Sequence, residues 1–130
     1  MTRGQLFSTL LVLMAVLACD QDPFHRSERR IAGKIRLEQW EDGETYYLVT
    51  PETRRSGGGL IDGTVRRIGW DSTSILVERH PLFGDSLDWI VIDPSTARIA
   101  GPYTPAQLKS LAAVQSIPLV TAESAWRSLH

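Results

Sequence analysis

The chain has 130 residues, 42% of them hydrophobic and 22% charged, with a formal net charge of −1 and a single cysteine. A length of this order supports one compact domain rather than two. The near-neutral balance lacks the basic excess by which nucleic-acid-binding domains are recognised, and one cysteine excludes an intramolecular disulfide.

Met1–Gln5 is polar with one positive charge, Arg3, and Leu6–Leu17 is apolar apart from Ser8 and Thr9. A basic start, a short apolar run and small residues after it form the pattern of a secretory signal. The run falls short of the about 20 apolar residues that span a bilayer, and Asp20, Gln21 and Asp22 follow at once. Val16-Leu17-Ala18-Cys19 resembles the bacterial lipobox: an aliphatic residue, a small residue, then an obligatory cysteine. The resemblance implies that the Cys19 thiol receives a diacylglyceryl group, that the chain is cut just before it, and that the new amine is acylated. Met1–Ala18 is therefore expected to be a lipoprotein signal peptide, and Cys19 the lipid-modified N-terminus of an exported protein. Two or more acyl chains anchor stably where one binds only marginally. Asp20 resembles the enterobacterial signal for retention at the inner membrane, which would leave the domain on its periplasmic side; the outer membrane or cell surface stays open. Loss of Arg3 with the signal takes the net charge from −1 to −2.

Residues 19–30 read as the lipidated cysteine and a flexible tether, being polar with one proline and no apolar period. Arg26, Arg29 and Arg30 could meet anionic headgroups, at about 1 kcal/mol each, although Asp20, Asp22 and Glu28 dilute that charge. Residues 31–130 then form a single small domain. Ile31, Gly33, Ile35 and Leu37 alternate with Ala32, Lys34, Arg36 and Glu38, the period of a half-buried strand. Asp42-Gly43 supplies a hairpin turn, and the β-branched and aromatic residues of Thr45–Val49 pair back. Pro51–Gly59 reads as a loop, Leu60–Trp70 and Ser74–Arg79 as strands, and His80–Asp88 as a second loop. Trp89–Asp93 and Arg98–Ala100 follow as strands around a Pro94-Ser95-Thr96 turn. Short turns between successive strands predict an antiparallel meander.

Thr104-Pro105 starts a helix, with a threonine cap and a proline at the first helical position. Leu108, Leu111, Ala112 and Gln115 share one side of it, Pro118 stops it, and Thr121 caps a last helix carrying Ala122, Ala125, Trp126 and Leu129. The expected fold is thus α+β: an antiparallel β-meander of about six strands with one or two short C-terminal helices packed on one face.

Trp89-Ile90-Val91-Ile92-Asp93, then Ile99-Ala100-Gly101-Pro102-Tyr103-Thr104, a helix and Trp126, together with Tyr46-Tyr47 and the lipobox, resemble a family of small uncharacterised bacterial lipoproteins, a domain of unknown function. The resemblance would cover most of Ile31–Leu129 and implies no activity or catalytic residue. The same motif has a plain physical reading: proline cannot donate to a ladder and glycine permits a bend, while Asp93 starts a turn through its side chain.

Few residues offer chemistry. Of His25, His80 and His130, only His80 lies inside the domain, near Asp85 and Asp88, and no Gly-x-Ser-x-Gly elbow presents a serine. No cysteine pair, paired histidines or EF-hand loop points to a metal, and no motif points to a cofactor. Arg54-Arg55-Ser56-Gly57-Gly58-Gly59 could cradle an anion in a backbone nest, but it lacks the P-loop ending and a mobile loop is the plainer reading. No catalytic residue is expected. The sequence points to a non-enzymatic, membrane-tethered binding or accessory domain that meets an unknown envelope protein through Arg54, Arg55, His80, Asp85 and Asp88 on its two loops. An inhibitor of a secreted hydrolase such as lysozyme, and a small envelope hydrolase using His80, Asp85 or Asp88, are the alternatives.

Overall fold

A computed structural model of the chain describes residues 27–130; the signal-peptide assignment, Cys19 and most of the tether lie outside the described residues. The architecture is α+β, with two antiparallel sheets where one had been expected. The first has three strands in sequence order: β1 (Ser27–Ala32), β2 (Ile35–Gln39) and β3 (Tyr46–Val49). A short helix α1 (Pro51–Arg55) follows. The second sheet holds β4 (Thr64–Trp70), β5 (Ile75–His80), β6 (Asp88–Ile92) and β7 (Ile99–Tyr103) as a meander, and β8 (Val120–Thr121) joins the far edge of β4. Between β7 and β8 lie helix α2 (Pro105–Lys109) and a 3₁₀ turn at Ala112–Val114. Helix α3 (Ala122–Ser128) ends the fold.

Two expectations at the N-terminal side are corrected. Ser27–Arg30 is not tether but the start of β1, with Ser27 opposite Gln39 and Arg29 opposite Leu37. The run read as one strand from Ile31 is instead a hairpin broken at Gly33, which adopts φ +56°. A polar edge strand has only one face to bury, so its arginines and glutamate escape a pattern search for apolar residues.

Strand pairing explains the cores. Ile35 and Leu37 from β2 and Tyr46 and Leu48 from β3 face Ile68, Ile75, Val77, Ile90 and Ile92 of the larger sheet, with Ala125 and Trp126 of α3 in the same cluster. The opposite face of the larger sheet carries Leu76 and Trp89, covered by Val114 and Ile117 with Leu108 and Leu111. The helices therefore lie on both faces of this sheet rather than on one. Such double coverage accounts for the run of five buried residues from Ile75 to Arg79 in β5, since a strand covered on both sides loses its alternation.

Local chemistry sets the turns. Asp42 accepts from the amides of Glu44 and Thr45, and Asp71 from those of Thr73 and Ser74, each at 2.8 Å. Asp93 accepts from the Ser95 amide at 2.9 Å. These are Asx turns, in which a carboxylate stands in for a backbone carbonyl. The bonds hold all three carboxyls below the usual carboxylate range, led by Thr45 for Asp42, by the Thr73 amide for Asp71 and by Ser95 for Asp93. Thr50 and Thr104 each head a reciprocal capping box, with Thr53 and Gln107 reaching back. Helix α2 stops at Lys109, where the Ser110 and Leu111 amides turn back to the Gln107 and Leu108 carbonyls. Gln115 then donates from its side chain to the Leu108 and Leu111 carbonyls, which also accept from the Leu111 and Val114 amides.

Candidate functional site

The outer face of the three-stranded sheet gathers charge and aromatic surface. Glu28 and Glu38 are directly opposite in β1 and β2, a placement that costs energy unless cations intervene. Arg36 pairs with the Glu28 carboxylate from one side, and Arg54 reaches it from α1 at 2.8 Å. The capping box at Thr50 fixes α1 and so delivers Arg54. Glu38 is 3% exposed. Beside it Trp40 and Tyr47 meet edge to face, their centroids 5.7 Å apart, and Gly57–Gly59 closes the other wall of a cleft of 210 Å³. The stretch expected to be a loop is therefore helical over its first half. Arg54 enters the cleft and is bound to Glu28; Arg55 stays exposed.

The β5–β6 connection is organised around Arg79, a buried arginine. Its guanidinium donates to both oxygens of Asp88 at 2.8 and 2.6 Å and to Asp62 at 3.0 Å. The Asp88 bonds foremost hold the Arg79 pKa above the ordinary arginine value. Asp88, expected as a contact or catalytic group, is thus a strut. His80 is the next residue along β5 and projects from the opposite face of the strand. Its Nδ1 lies 3.3 Å from the Pro81 carbonyl oxygen. Asp88 is bound to Arg79 and not to His80. Asp85 is exposed and lines a broad cleft of 610 Å³ with Phe83, Leu87 and Thr104. The two expected contact loops line separate clefts.

Sequence reasoning passed over the tip of that connection. Leu82 is 64% exposed and Phe83 87%. The pair sits above a base pinned by Arg79, Asp62 and Asp88, so it is held out on a braced stalk. Its signal in the sequence was the Pro81-Leu82-Phe83-Gly84 order: two large apolar residues between two turn formers, with no apolar period around them. Glu28 was read as part of a linker and its partnership with Arg36 and Arg54 depends on the fold.

Among the described residues no group of three or more His, Cys, Asp or Glu is placed to hold a metal ion, and no helix is long and apolar enough to cross a membrane. Neither a protein-family model, a curated protein nor a solved structure matches the chain.

Proposed function

We propose that this chain is a lipid-anchored protein of the bacterial envelope whose domain works by binding rather than by catalysis. One observation carries the reading: the apolar run Leu6–Leu17 ends in Val16-Leu17-Ala18-Cys19, and that thiol is the only one in the sequence. A lone cysteine in an exported chain has no intramolecular partner, and acylation gives it a use. Binding is supported by how the polar groups are spent. Asp88 and Asp62 brace Arg79, and Glu28 joins Arg36 to Arg54. The accessible surface beside them includes Trp40, Leu82 and Phe83, and tryptophan is among the residues from which binding interfaces draw most of their energy.

Intact mass of the protein extracted from bacterial membranes tests the reading, measured with and without a block on lipoprotein signal cleavage. The expected mass begins at Cys19 and carries acyl chains, and the block leaves residues 1–18 attached. An unacylated mass, or one beginning elsewhere, refutes the anchor.

A further inference from the structure

The strand registers give the domain two unlike ends. At one end the β1–β2 turn rests on the β6–β7 turn so closely that a Cβ on Gly33 would lie 2.0 Å from the Pro94 carbonyl oxygen. The Asp71–Ser74 turn belongs to this end, following the Trp70–Ile75 pair. At the other end lie Ser27 opposite Gln39, the Trp40–Thr45 turn, and the Arg79–Asp88 pair that closes the base of the Leu82–Phe83 tip. A groove of 300 Å³ lined by Glu44 and Tyr46 from the first sheet and Thr64 and His80 from the second joins the two sheets at this end. Among the described residues the exposed large hydrophobics are divided unevenly: Trp40, Leu82 and Phe83 sit at the second end, Leu82 and Phe83 being the most exposed, whereas the first end has Ile99 beside the β6–β7 turn and Val120 lies between the ends on the edge strand β8.

The second end is also where the chain enters the domain. Cys19 lies eight residues before Ser27, and a fully extended segment of that length spans at most ~26–29 Å. A domain tethered so closely meets the surface of its own bilayer at high effective concentration, entry end first. Tryptophan, phenylalanine and leucine at a loop tip are the side chains that lodge at the headgroup–acyl boundary.

We propose that the Leu82–Phe83 tip, with Trp40 beside the same end, is a second membrane contact that inserts into the bilayer to which Cys19 is tethered and holds the domain upright on it. The proposal rests on the anchored reading above. The surrounding carboxylates of Glu41, Asp42, Glu44 and Asp85 are exposed and disfavour anionic headgroups, so the contact is apolar and its lipid zwitterionic. Raising the salt concentration leaves such a contact in place, since screening acts only on charge.

The test uses the chain from residue 19 onward, produced without lipid and coupled through its Cys19 thiol to a maleimide lipid in phosphatidylcholine vesicles. The anchor is then supplied chemically, and the intact-mass measurement alone decides whether cells supply it. Phe83→Trp adds an indole at the tip, and Ser72→Trp adds one at the opposite end as a control. Both positions are exposed, and unchanged urea midpoints confirm that the variants fold. Brominated acyl chains are expected to remove most of the emission added by Phe83→Trp and little of that added by Ser72→Trp, with no change at high salt. Equal quenching of the two overturns the proposal. So does a tip that is open to a water-soluble quencher on these vesicles and shielded only in native envelope membranes, an outcome that assigns it to a protein partner.

Discussion

Glu78 and Arg79 stay charged inside this fold because each is held by more than one hydrogen bond to an opposite charge. Glu78 is buried in the middle of β5, and Arg67 donates to its two oxygens at 2.9 and 2.8 Å. Arg67 also lies over the Trp89 ring, 5.5 Å from its centroid. The Arg67 hydrogen bonds hold the Glu78 carboxyl below its ordinary value of 4.5, against the opposing effect of burial. Depression of a carboxyl in the folded state means that the unfolded chain takes up the proton first. The stability Glu78 contributes is therefore complete above the unfolded value and drains away as pH falls through the lower, folded one. Urea midpoints followed from about pH 6 down to about pH 3 should decline, and Glu78→Gln should flatten that decline while lowering stability at neutral pH. An unchanged acid slope in the variant would show that other carboxylates govern it.

Among the elements, the strap between α2 and β8 is the least forgiving. Ile117 and Pro118 cross the larger sheet directly over Gly69, where a Cβ would lie 2.2 Å from the Pro118 carbonyl oxygen and 2.8 Å from Ile117 Cγ2. Gly69→Ala must lift the strap off Leu76 and Trp89 and loosen β8 from β4. Overpacking of this kind costs about 1–3 kcal/mol, to be read as a lowered urea midpoint, with faster hydrogen exchange at Val120 and Thr121. What was legible in the sequence follows the same local logic. Thr104-Pro105 announced a helix and Thr121 its successor, and both caps are present. Thr50-Pro51 has the same form and was passed over, because the three glycines downstream argued for a loop. The end of α2 at Lys109 was not readable, because no proline or glycine follows it before Pro118. Ala97 takes φ 61° in the β6–β7 turn, where its amide donates to the Asp93 carbonyl, and alanine, which disfavours that conformation, gives no sign of it in the sequence. Of the candidate site, Arg54, Arg55, His80, Asp85 and Asp88 were visible as residue types. That Arg54 and Asp88 are consumed by Glu28 and Arg79 depends on strand registers that no local pattern encodes.

At the scale of the molecule, the first strand and the last helix hold each other. Arg29 of β1 donates to the Trp126 and Leu129 carbonyls at 2.6 and 3.1 Å, capping the end of α3, and its guanidinium lies 4.3 Å from the Trp126 ring centroid. An arginine read as part of a flexible tether is thus bound to the last helix. Arg29→Ala should destabilise the domain by about 2 kcal/mol, the sum of a charged hydrogen bond and a stacked cation, and Arg29→Lys should recover part of it, both read from urea midpoints. Equal stability of the alanine variant would show that α3 needs no cap from β1. The same latch bears on when folding can happen. Trp126 packs against Tyr46 with centroids 6.1 Å apart and fills the space between the sheets. Until that part of the chain has left the ribosome, the space has no filler and Arg29 no acceptor. A growing chain therefore carries an unfinished core until residues 122–129 have been made.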